Sequence, residues 1–523
     1  MKIISVLTLF FCVSLLHAQD IGKFSGSFES NTHVYENDKD IGARKPNDKI
    51  ASNNYLNLKY QYKYFDVGVR LESYLPSLQG FNINYKGTGI ANRYIRFKND
   101  NLDVTAGNFY EQFGSGLIFR TFEERQLGID NSLDGIRLKY DFKDIFFLKA
   151  IMGTQRNAFK KNEDDLHGKI RGLDVDLSIN NLLEITSFPL MKLGVSYISK
   201  YEKYNGSEDV PVTVDAFSAR FDIESESADM SLEYVEKDKD FNQLMFLPMP
   251  KGRALLLNGG LYGKGLSLNY TIRRLENMSY QSLRTAIAPQ MMINYLPVLV
   301  KQHSYSLSNI YIYHGNPNGE IGLQCDLLYK IPKKSFLGGK YGTQLAFNYA
   351  QYNDLKRISA TETKFFEISD DLFYRDFSLE ITKKWSKKFK SILVYNYQEL
   401  KKSKDKTINP NIISLDMQYK ITSRNSMRLE LQHLSIDDDK KNWMASLLEF
   451  SFAPSYSFFV ADDYNYGNEN KVHYYTCGIS LSKASTKFIA TYGRQREGLS
   501  CVGGVCRIMP AMKAFTISLS TRF

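Results

Sequence analysis

The chain has 523 residues, a formal net charge of +10 and 14% aromatic residues, with 35 Tyr and 34 Phe against only 2 Trp. The excess of Lys and Arg is spread along the chain, and no basic cluster carries interleaved stacking aromatics, which speaks against a nucleic-acid partner. An anionic solute or a surface coated with anionic lipid suits this charge better. The mean hydropathy of −0.34 is low for a large globular core. It is expected if half of each strand faces water in a lumen.

The first residues, MKIISVLTLFFCVSLLHAQ, combine Lys2, an apolar run over residues 3–16 and the small residue Ala18. This pattern predicts a secretory signal peptide over residues 1–18, which leaves 19–523 as the mature protein. The alternative, an N-terminal membrane anchor, is disfavoured because the run is shorter than the ~18–20 residues that a spanning helix needs. No later stretch is apolar enough for a spanning helix. The mature chain is therefore either exported and soluble, or it crosses a membrane as a closed barrel.

Strand signals begin in the stretch YLNLKYQYKYFDVGVRLESYL, residues 55–75. Every second residue is apolar or aromatic up to Tyr62, the residues between are polar, and the alternation resumes at Phe65 after a tight turn. The same period of two recurs at residues 173–180 and 413–432, and nothing after the N-terminal segment indicates a long helix. About 25 candidate strands can be counted, and closed single-chain bacterial barrels normally have an even number. The sequence therefore predicts one all-β domain, a single closed antiparallel transmembrane β-barrel of about 24–26 strands.

The connections and the last strand favour a barrel over a soluble sandwich or propeller. Short turns such as KNDN and ITSRN alternate with long polar loops such as NDKDIGARKPNDKIASN and TQRNAFKKNEDDLHGK, as they do in outer-membrane barrels. The polar faces of the strands also carry Asp, Lys, Arg and Glu rather than small neutral residues. The stretch AFTISLSTRF, residues 514–523, alternates up to a terminal Phe. We expect it to pair with the first strand, since an open sheet edge in lipid leaves backbone groups unpaired.

Residues 107–140 interrupt the alternation. The sequence GNFYEQFGSGLIFRTFEERQLGIDNSLDGIRLKY begins as a strand, breaks at Gly114-Ser115-Gly116 and re-enters a strand near Ile136. Its charged cluster fits a segment folded into the lumen, where it would narrow a channel. The alternative, a structural plug with satisfied ion pairs, is favoured for this cluster. The candidate constriction residues, expected to form a paired network, are Glu123, Glu124, Arg125, Asp130, Asn131, Asp134 and Arg137.

A second irregular region, residues 293–331, is dense in polar side chains. His303 is either a base or metal ligand, or a histidine that is hydrogen-bonded among lumen residues, and the second alternative is favoured. The 7 His of the chain show no short ligand spacing, so the sequence predicts neither a metal nor a cofactor. The candidate lumen residues of this region are Lys301, Gln302, His303, Glu320 and Gln324.

The motif CVGGVC places Cys501 and Cys506 on either side of a Gly-Gly turn. In an oxidising compartment this pair can close as a disulfide. A metal site is the alternative, but no His or second Cys pair lies beside the motif. Free thiols remain a further alternative.

Three groups of segments resemble the signature regions of a protein family. They are GNFYEQFGSGL with FEERQLGIDNSLDGIR, NYLPVLVKQHSYSL with NGEIGLQ, and GGKYGTQLAFNYA. They look like segments of a family of outer-membrane proteins from Bacteroidota, large barrels with no assigned activity. The resemblance covers most of the mature chain. It implies an outer-membrane location and a porin-like fold, and it supplies neither a substrate nor a site residue.

Three functions follow from this sequence. The first is an outer-membrane channel for small polar or charged solutes, with Lys59, Arg70, Glu72, Asp174 and Asp176 lining the lumen. The second is a non-conducting barrel that acts as a scaffold or partner in an outer-membrane assembly. An outer-membrane hydrolase is the third and least favoured, because no nucleophile, base and orienting group can be assembled, so the chain is predicted not to be an enzyme. The expected partners are outer-membrane lipid, the barrel-assembly machinery during biogenesis and other outer-membrane proteins.

Overall fold

The structure is a computed structural model that describes residues 22–82, 84–157, 159, 168–186, 189–203, 210–242, 247–286, 290–359, 362–403, 406–437, 441–502 and 504–523. The predicted signal peptide, residues 1–18, lies outside these ranges. So does most of the loop TQRNAFKKNEDDLHGK.

A closed antiparallel sheet forms the body of the molecule. The main sheet has 25 strands. One of them, the three-residue strand Lys406–Ile408, pairs only with the end of Phe389–Ser403, beside the next strand Asn411–Lys420, so 24 strands form the ring. In chain order, β1 to β24 are Lys23–Glu36, Ile50–Tyr62, Phe65–Tyr74, Gly87–Lys98, Leu102–Phe109, Leu133–Phe142, Phe146–Gln155, Lys169–Ser178, Leu190–Tyr201, Thr213–Glu224, Ala228–Lys237, Gly252–Gly263, Leu266–Glu276, Gly319–Ile331, Thr343–Arg357, Thr363–Lys384, Phe389–Ser403, Asn411–Lys420, Asn425–Ser435, Trp443–Phe452, Tyr456–Asn465, Val472–Lys483, Thr486–Gln495 and Met512–Arg522.

The ring closes between β24 and β1. The two strands pair antiparallel from Ser27 with Arg522 to Glu36 with Lys513. Closure leaves no open edge, because each strand of the ring then has a partner on both sides. The predictions of a closed barrel, of a strand number between 24 and 26 and of pairing between the last and first strands are confirmed.

The remaining elements are short. The two-stranded pairs are Gln112–Phe113 with Phe119–Arg120, Glu123–Glu124 with Ile129–Asp130, Asp240–Asn242 with Leu247–Met249, and Gly498–Val502 with Val505–Met509. Helical structure in the described ranges consists of the α-helix Ile179–Leu182 and the 3-10 helix Leu307–Asn309. Among the described residues, no helix is both long and apolar enough to cross a membrane.

The period of two gives the ring an apolar outside and a polar inside. Phe217 and Val460 point outward and are 59% and 58% exposed, whereas Arg70 and Asp174 point inward and are buried. Lys59, Glu72 and Asp176 share the inner face with them. A soluble protein has the opposite arrangement, and an apolar band around a polar interior is typical of membrane barrels.

The two ends of the barrel differ in their connections. At one end, which we call the short-turn end, residues 63–64, 264–265 and 484–485 each join neighbouring strands. At the other, which we call the long-loop end, the connections include residues 110–132 and 277–318. Because successive strands run in opposite directions, every second connection lies at the same end. The predicted alternation of short turns and long loops is therefore confirmed.

Candidate functional site

Three connections from the long-loop end fold back into the ring. They are residues 110–132, which we call the plug segment, residues 277–318, which we call the crossing segment, and the hairpin Gly498–Met509, which we call the disulfide hairpin. The plug and crossing segments contact inward-facing side chains of strands that are distant in the chain, and the disulfide hairpin contacts both of these segments. The plug segment lies within the region 107–140, and the crossing segment contains most of the second irregular region of the sequence.

The plug segment begins with a tight turn and an apolar core. Gly114 adopts φ +50°, and a Cβ there would lie 2.6 Å from Cδ of Arg220, so glycine allows the chain to approach the wall. The next residue, Ser115, donates from its backbone amide to Oε2 of Glu233 at 2.9 Å. Around this turn, buried apolar residues of the segment pack on buried apolar residues of the wall: Phe113, Leu117, Ile118 and Phe119 on Ile151, Ile170, Ile198, Val235 and Ala254. Close packing of these apolar groups fills the space between the turn and this part of the wall.

A buried charged network holds the second half of the plug segment. Asp130 accepts hydrogen bonds from Arg70 of β3 and from Arg156, which follows β7. Nη1 of Arg70 also donates to Oε1 of Glu123 at 2.9 Å, and Nη1 of Arg156 donates to Oε1 of Glu72 at 3.1 Å. Oxygen atoms of the three carboxylates lie within 4.8 Å of one another, a spacing that would suit a cation. Two guanidinium groups supply the positive charge instead, so the arrangement is a buried salt-bridge network.

This network keeps Asp130 ionised. Burial alone would raise the pKa of Asp130, but the charges of Arg156 and Arg70 and a hydrogen bond from Tyr110 hold that pKa below its usual value. The Tyr110 hydroxyl donates to Oδ1 of Asp130 at 3.0 Å. Burial, with the nearby carboxylate, raises the pKa of Tyr110 well above its usual value, so the phenol stays neutral.

The lowered pKa of Asp130 makes the plug segment sensitive to acid. Its contribution to stability is complete above the unfolded pKa of about 3.9 and is lost as the pH falls through the folded pKa. We expect a nitroxide on Gln126→Cys, with Cys325 and Cys477 replaced by serine, to stay immobile between about pH 8 and pH 5 and to gain mobility below about pH 4. Electron paramagnetic resonance spectra measure this mobility. A rise in mobility between pH 7 and pH 5 would contradict the assignment.

Arg125 ties the plug segment to the first strands. It forms an ion pair with Glu29 of β1 and donates from Nε to Oε1 of Glu123 at 2.8 Å. Its guanidinium carbon lies 4.6 Å from the centre of the Tyr55 ring. Glu124 lies apart from this network, since the hydrogen bond of its carboxylate is with the backbone amide two residues further on.

The plug and crossing segments also contact each other. Asn131 donates from Nδ2 to the backbone oxygen of Met292 at 3.1 Å, and Gln155 at the end of β7 donates to the same oxygen at 2.7 Å. The backbone amide of Arg120 donates to the oxygen of Ile293 at 2.9 Å. The two segments therefore form one packed body inside the ring.

Besides Glu124, two more of the predicted network residues have their main partners elsewhere. Asp134 is an outward position of β6 and pairs with Arg93 at 3.1 Å, with both side chains largely exposed. The expectation that Asp134 joins the network is wrong, because β6 begins at Leu133 and its odd-numbered residues point inward. Arg137 does point inward, where it pairs with Asp103 at 3.1 Å and lies 3.6 Å from Oε2 of Glu111, so it joins the start of the plug segment to the wall.

The crossing segment is held by a buried ion pair near its end. Glu320 of β14 lies 2.8 Å from Nη2 of Arg273 on β13, and both side chains are buried. Glu320 also accepts from the hydroxyl of Tyr313 at 2.8 Å. Gln324 is four residues further along β14, about 13 Å away at the usual rise of a strand. Its amide donates to Asp326 at 2.9 Å, so it lines the wall without reaching the crossing segment.

His303 is a hydrogen-bonded lumen histidine. Nε2 lies 2.8 Å from Oδ2 of Asp376 on β16, and Nδ1 lies 3.2 Å from Nδ2 of Asn396 on β17. Both ring nitrogens therefore face wall residues. Lys301, two residues before, lies 3.2 Å from Oγ of Ser378 and 3.7 Å from a carboxylate oxygen of Glu380.

The disulfide hairpin packs against both other segments. Cys501 and Cys506 are joined by a disulfide, and Nε2 of Gln302 donates to the oxygen of Cys501 at 3.2 Å. Gly504 accepts from the amide of Val298 at 3.0 Å. A Cβ on Gly504, at φ +79°, would lie 2.7 Å from the oxygen of Val298, so only glycine permits this approach. On the other side, Arg507 donates to the oxygen of Leu127 in the plug segment at 2.6 Å.

The disulfide stabilises the packed hairpin mainly because it limits the conformations that the hairpin can adopt once it has detached from the other segments. A loop of about six residues is stabilised by roughly 2 kcal/mol when a disulfide closes it. We expect the Cys501→Ser/Cys506→Ser variant to show about thirtyfold faster opening of residues 498–509 in hydrogen exchange. Exchange in β20 to β22 serves as the internal reference and should not change. Equal exchange of the hairpin in both proteins would contradict this expectation.

A cavity lies between the crossing segment, the disulfide hairpin and the wall from β17 to β23. Its volume is about 760 Å³. Ala461 and Thr476 lie on its wall side, and Ser304, Ser306 and Ser500 lie on the side of the segments. A smaller cavity of about 310 Å³ lies on the other side of the hairpin, against β1 and β2. The open space in the lumen is therefore displaced away from the apolar core around the plug segment.

The wall of this sector carries small side chains. The inward positions of β21 to β24 that are only partly buried include Ser457, Ala461, Thr476, Gly478, Ser480, Thr491, Gly493 and Ser518. The opposite sector carries long charged residues that pair with one another, such as Asp174 with Lys149 at 3.0 Å and with Arg220 at 2.7 Å. Small side chains leave space beside the wall, whereas paired long ones fill it.

Two arginines at the site escape the sequence analysis. Arg156 and Arg496 each follow directly on the last residue of a strand at the long-loop end. Arg496 lines the larger cavity and donates to the oxygen of Asn309 at 3.4 Å. Burial lowers the pKa of Arg496, and the charge of Asp463 partly offsets this effect. In a sequence, such a lumen arginine can be recognised by its position immediately after a strand whose last residue points inward.

Comparisons with solved structures return large barrels at low identity. The siderophore receptor PirA from Pseudomonas aeruginosa aligns with a TM-score of 0.42 and 8% identity over 97% of this chain and 81% of its own. The translocation pore of the P pilus usher PapC aligns with a TM-score of 0.44 and 7% identity over 96% of this chain and 99% of its own. OccK3 (OpdO) from Pseudomonas aeruginosa aligns with a TM-score of 0.40 and 10% identity over 96% of this chain and 97% of its own.

The sequence comparisons give a family. No curated protein matches the chain. A family model described as a family of unknown function, DUF6029, matches residues 1–523, so the chain belongs to that family.

Proposed function

We propose that this protein is an outer-membrane channel for small polar solutes, with a passage confined to one sector of the lumen. The cavity of about 760 Å³ beside β17 to β23 carries this proposal. The apolar outer face suits outer-membrane lipid as the surrounding solvent, and long loops at one end with short turns at the other suit insertion by the barrel-assembly machinery. The plug segment closes the opposite sector, because its apolar core leaves no wet path there.

The charges around the cavity are compensated, which favours neutral polar solutes over one sign of ion. Arg428 lies 2.9 Å from Asp416 and 2.6 Å from Glu430. Lys301 faces Glu380. Selectivity in a pore follows the net charge of its lining and its width. A lining of paired charges and hydroxyl groups therefore supports weak ion selectivity and a size limit.

Planar bilayers and liposomes test the proposal. The purified full chain is expected to give discrete conductance steps with weak cation or anion preference, and liposomes that contain it should swell in monosaccharide solution. Swelling should fall steeply from monosaccharide to trisaccharide if the passage is narrow. A folded, heat-modifiable protein that gives neither steps nor swelling would overturn the channel.

A non-conducting scaffold is the second candidate, and the extent of packing in the lumen favours it. The plug and crossing segments are joined by hydrogen bonds and carry a shared apolar core. Absence of conductance in planar bilayers would support this function. Capture of an outer-membrane partner by the non-conducting protein would then be the next measurement. The channel and the scaffold thus predict opposite results in the same experiment.

A further inference from the structure

One sector of the short-turn end is strongly basic. The connections 332–342, 385–388 and 421–424 have the sequences PKKSFLGGKYG, WSKK and ITSR, which contain no acidic residue. They carry six cations: Lys333, Lys334, Lys340, Lys387, Lys388 and Arg424. We call this set of three connections the basic rim. Lysines also end the adjoining strands, so positive charge is continuous from β14 to β18.

The three connections of the basic rim touch one another. Lys383 at the end of β16 donates to the oxygen of Leu337 at 3.2 Å, and its ammonium lies 4.9 Å from the centre of the Trp385 ring. Lys388 donates to the oxygen of Ile421 at 3.4 Å. In the part of the chain that the structure describes, none of the six cations forms a salt bridge with a carboxylate. Their charge is therefore available to a ligand.

Apolar side chains are exposed among these cations. Phe336 is 100% exposed, Leu337 62%, Trp385 57% and Ile421 45%. The outward residues at the neighbouring strand ends, Tyr329 and Tyr419 among them, are aromatic too. Aromatic rings and lysines placed together at one level are typical of a surface that enters the headgroup region of a bilayer.

The balance of charge differs between sectors of this end. Around the connection 225–227 the same end of the barrel carries Asp222, Glu224, Glu226 and Asp229. A uniform coat of lysines would indicate only general attraction to a membrane. A rim that is basic on one side and acidic on another indicates a localised anion site.

We propose that the basic rim binds the phosphate groups of anionic phospholipids of the phosphatidylglycerol class. The rim adjoins the apolar outer face, so a lipid can place its acyl chains on the wall and its phosphate among the lysines. An acidic protein would engage the charges, but it would not explain why the exposed apolar residues continue into the outward aromatic residues of the wall. This inference rests on the membrane location in the proposed function, and it does not depend on conduction.

Trp385 provides a direct probe. Trp443, the second tryptophan of the chain, is buried in the lumen, so bromine on a lipid acyl chain quenches the emission of Trp385 alone. The full chain is placed in phosphatidylcholine vesicles that contain equal amounts of brominated phosphatidylglycerol or brominated phosphatidylcholine. We expect at least about tenfold preference for the anionic lipid in the concentration that gives half-maximal quenching.

Matched variants decide the result. Lys333→Gln, Lys340→Gln, Lys387→Gln and Lys388→Gln together should abolish the preference. The control changes Lys98, Lys264, Lys483 and Lys487, lysines at the same end, to Gln and should retain it. Equal quenching by both lipids in the unmodified protein, or a preference that survives the first variant, would overturn the proposal. Loss of the preference on adding inorganic phosphate at constant ionic strength would overturn lipid as the occupant. Conductance of the same variants reports separately on the channel.

Discussion

Replacing Arg156 with methionine is expected to loosen the plug segment by about 3–5 kcal/mol, because breaking a buried ion pair leaves the partner charge without compensation. Arg156 and Glu72 are 5% and 1% exposed in their pair, and the same guanidinium also binds Asp130. The methionine keeps most of the side-chain length but removes the charge, so two buried carboxylates then face one guanidinium. Hydrogen exchange in residues 110–132 should accelerate more than about a hundredfold.

Arg93→Met is the matched control for this change. Arg93 also pairs with an aspartate, Asp134, but the two side chains are 61% and 40% exposed. Exposed pairs contribute about 0–1 kcal/mol, so exchange in the plug segment should change little. If Arg93→Met and Arg156→Met accelerated exchange equally, the plug segment would not be held by the buried network.

Replacing Ala461 with tryptophan is expected to lower single-channel conductance by about half or more, because an indole on the wall of the larger cavity narrows the proposed passage. Ala461 is an inward residue of β21 and lines that cavity. The ring closure and the plug segment lie elsewhere, so the barrel should form as before. Planar-bilayer recording and the monosaccharide swelling rate measure the effect.

Val460→Trp is the control in the same strand. Val460 is the preceding residue, points outward and is 58% exposed, so the indole enters the surroundings of the barrel and leaves the lumen unchanged. Conductance should remain near that of the unmodified protein. Unchanged conductance in Ala461→Trp, with a folded barrel, would exclude this sector as the passage.

The strands were predictable because their signal is local. The alternation from residue 56 to 62 and from 413 to 419 identifies two faces without reference to any other strand, and the structure places the apolar face outside in both. The even strand number and the closure of the last strand on the first follow from the need to pair every edge. The need to pair every sheet edge thus predicts the even strand number and the closure of the ring, which no single strand segment indicates.

The partners inside the lumen were not predictable. Glu123 and Asp130 stand out in the sequence as charges in an irregular segment, but their partners are Arg70 of β3 and Arg156, which follows β7. Which strands face each other depends on the circumference and the stagger of the ring. Asp134 shows a related difficulty, because a shift of one residue in the start of a strand exchanges the inner and outer faces.

The position of the disulfide hairpin determines the order in which the interior can be completed. The hairpin joins β23 to β24, and it contacts Leu127 and Val298, which belong to segments made much earlier in the chain. Contacts across so many residues form late, since each requires the ends of a long loop to meet. The plug and crossing segments therefore lack their last packing partner until β24 pairs with β1 and closes the ring. Until that closure, the interior of a newly formed barrel would stay hydrated and loosely packed.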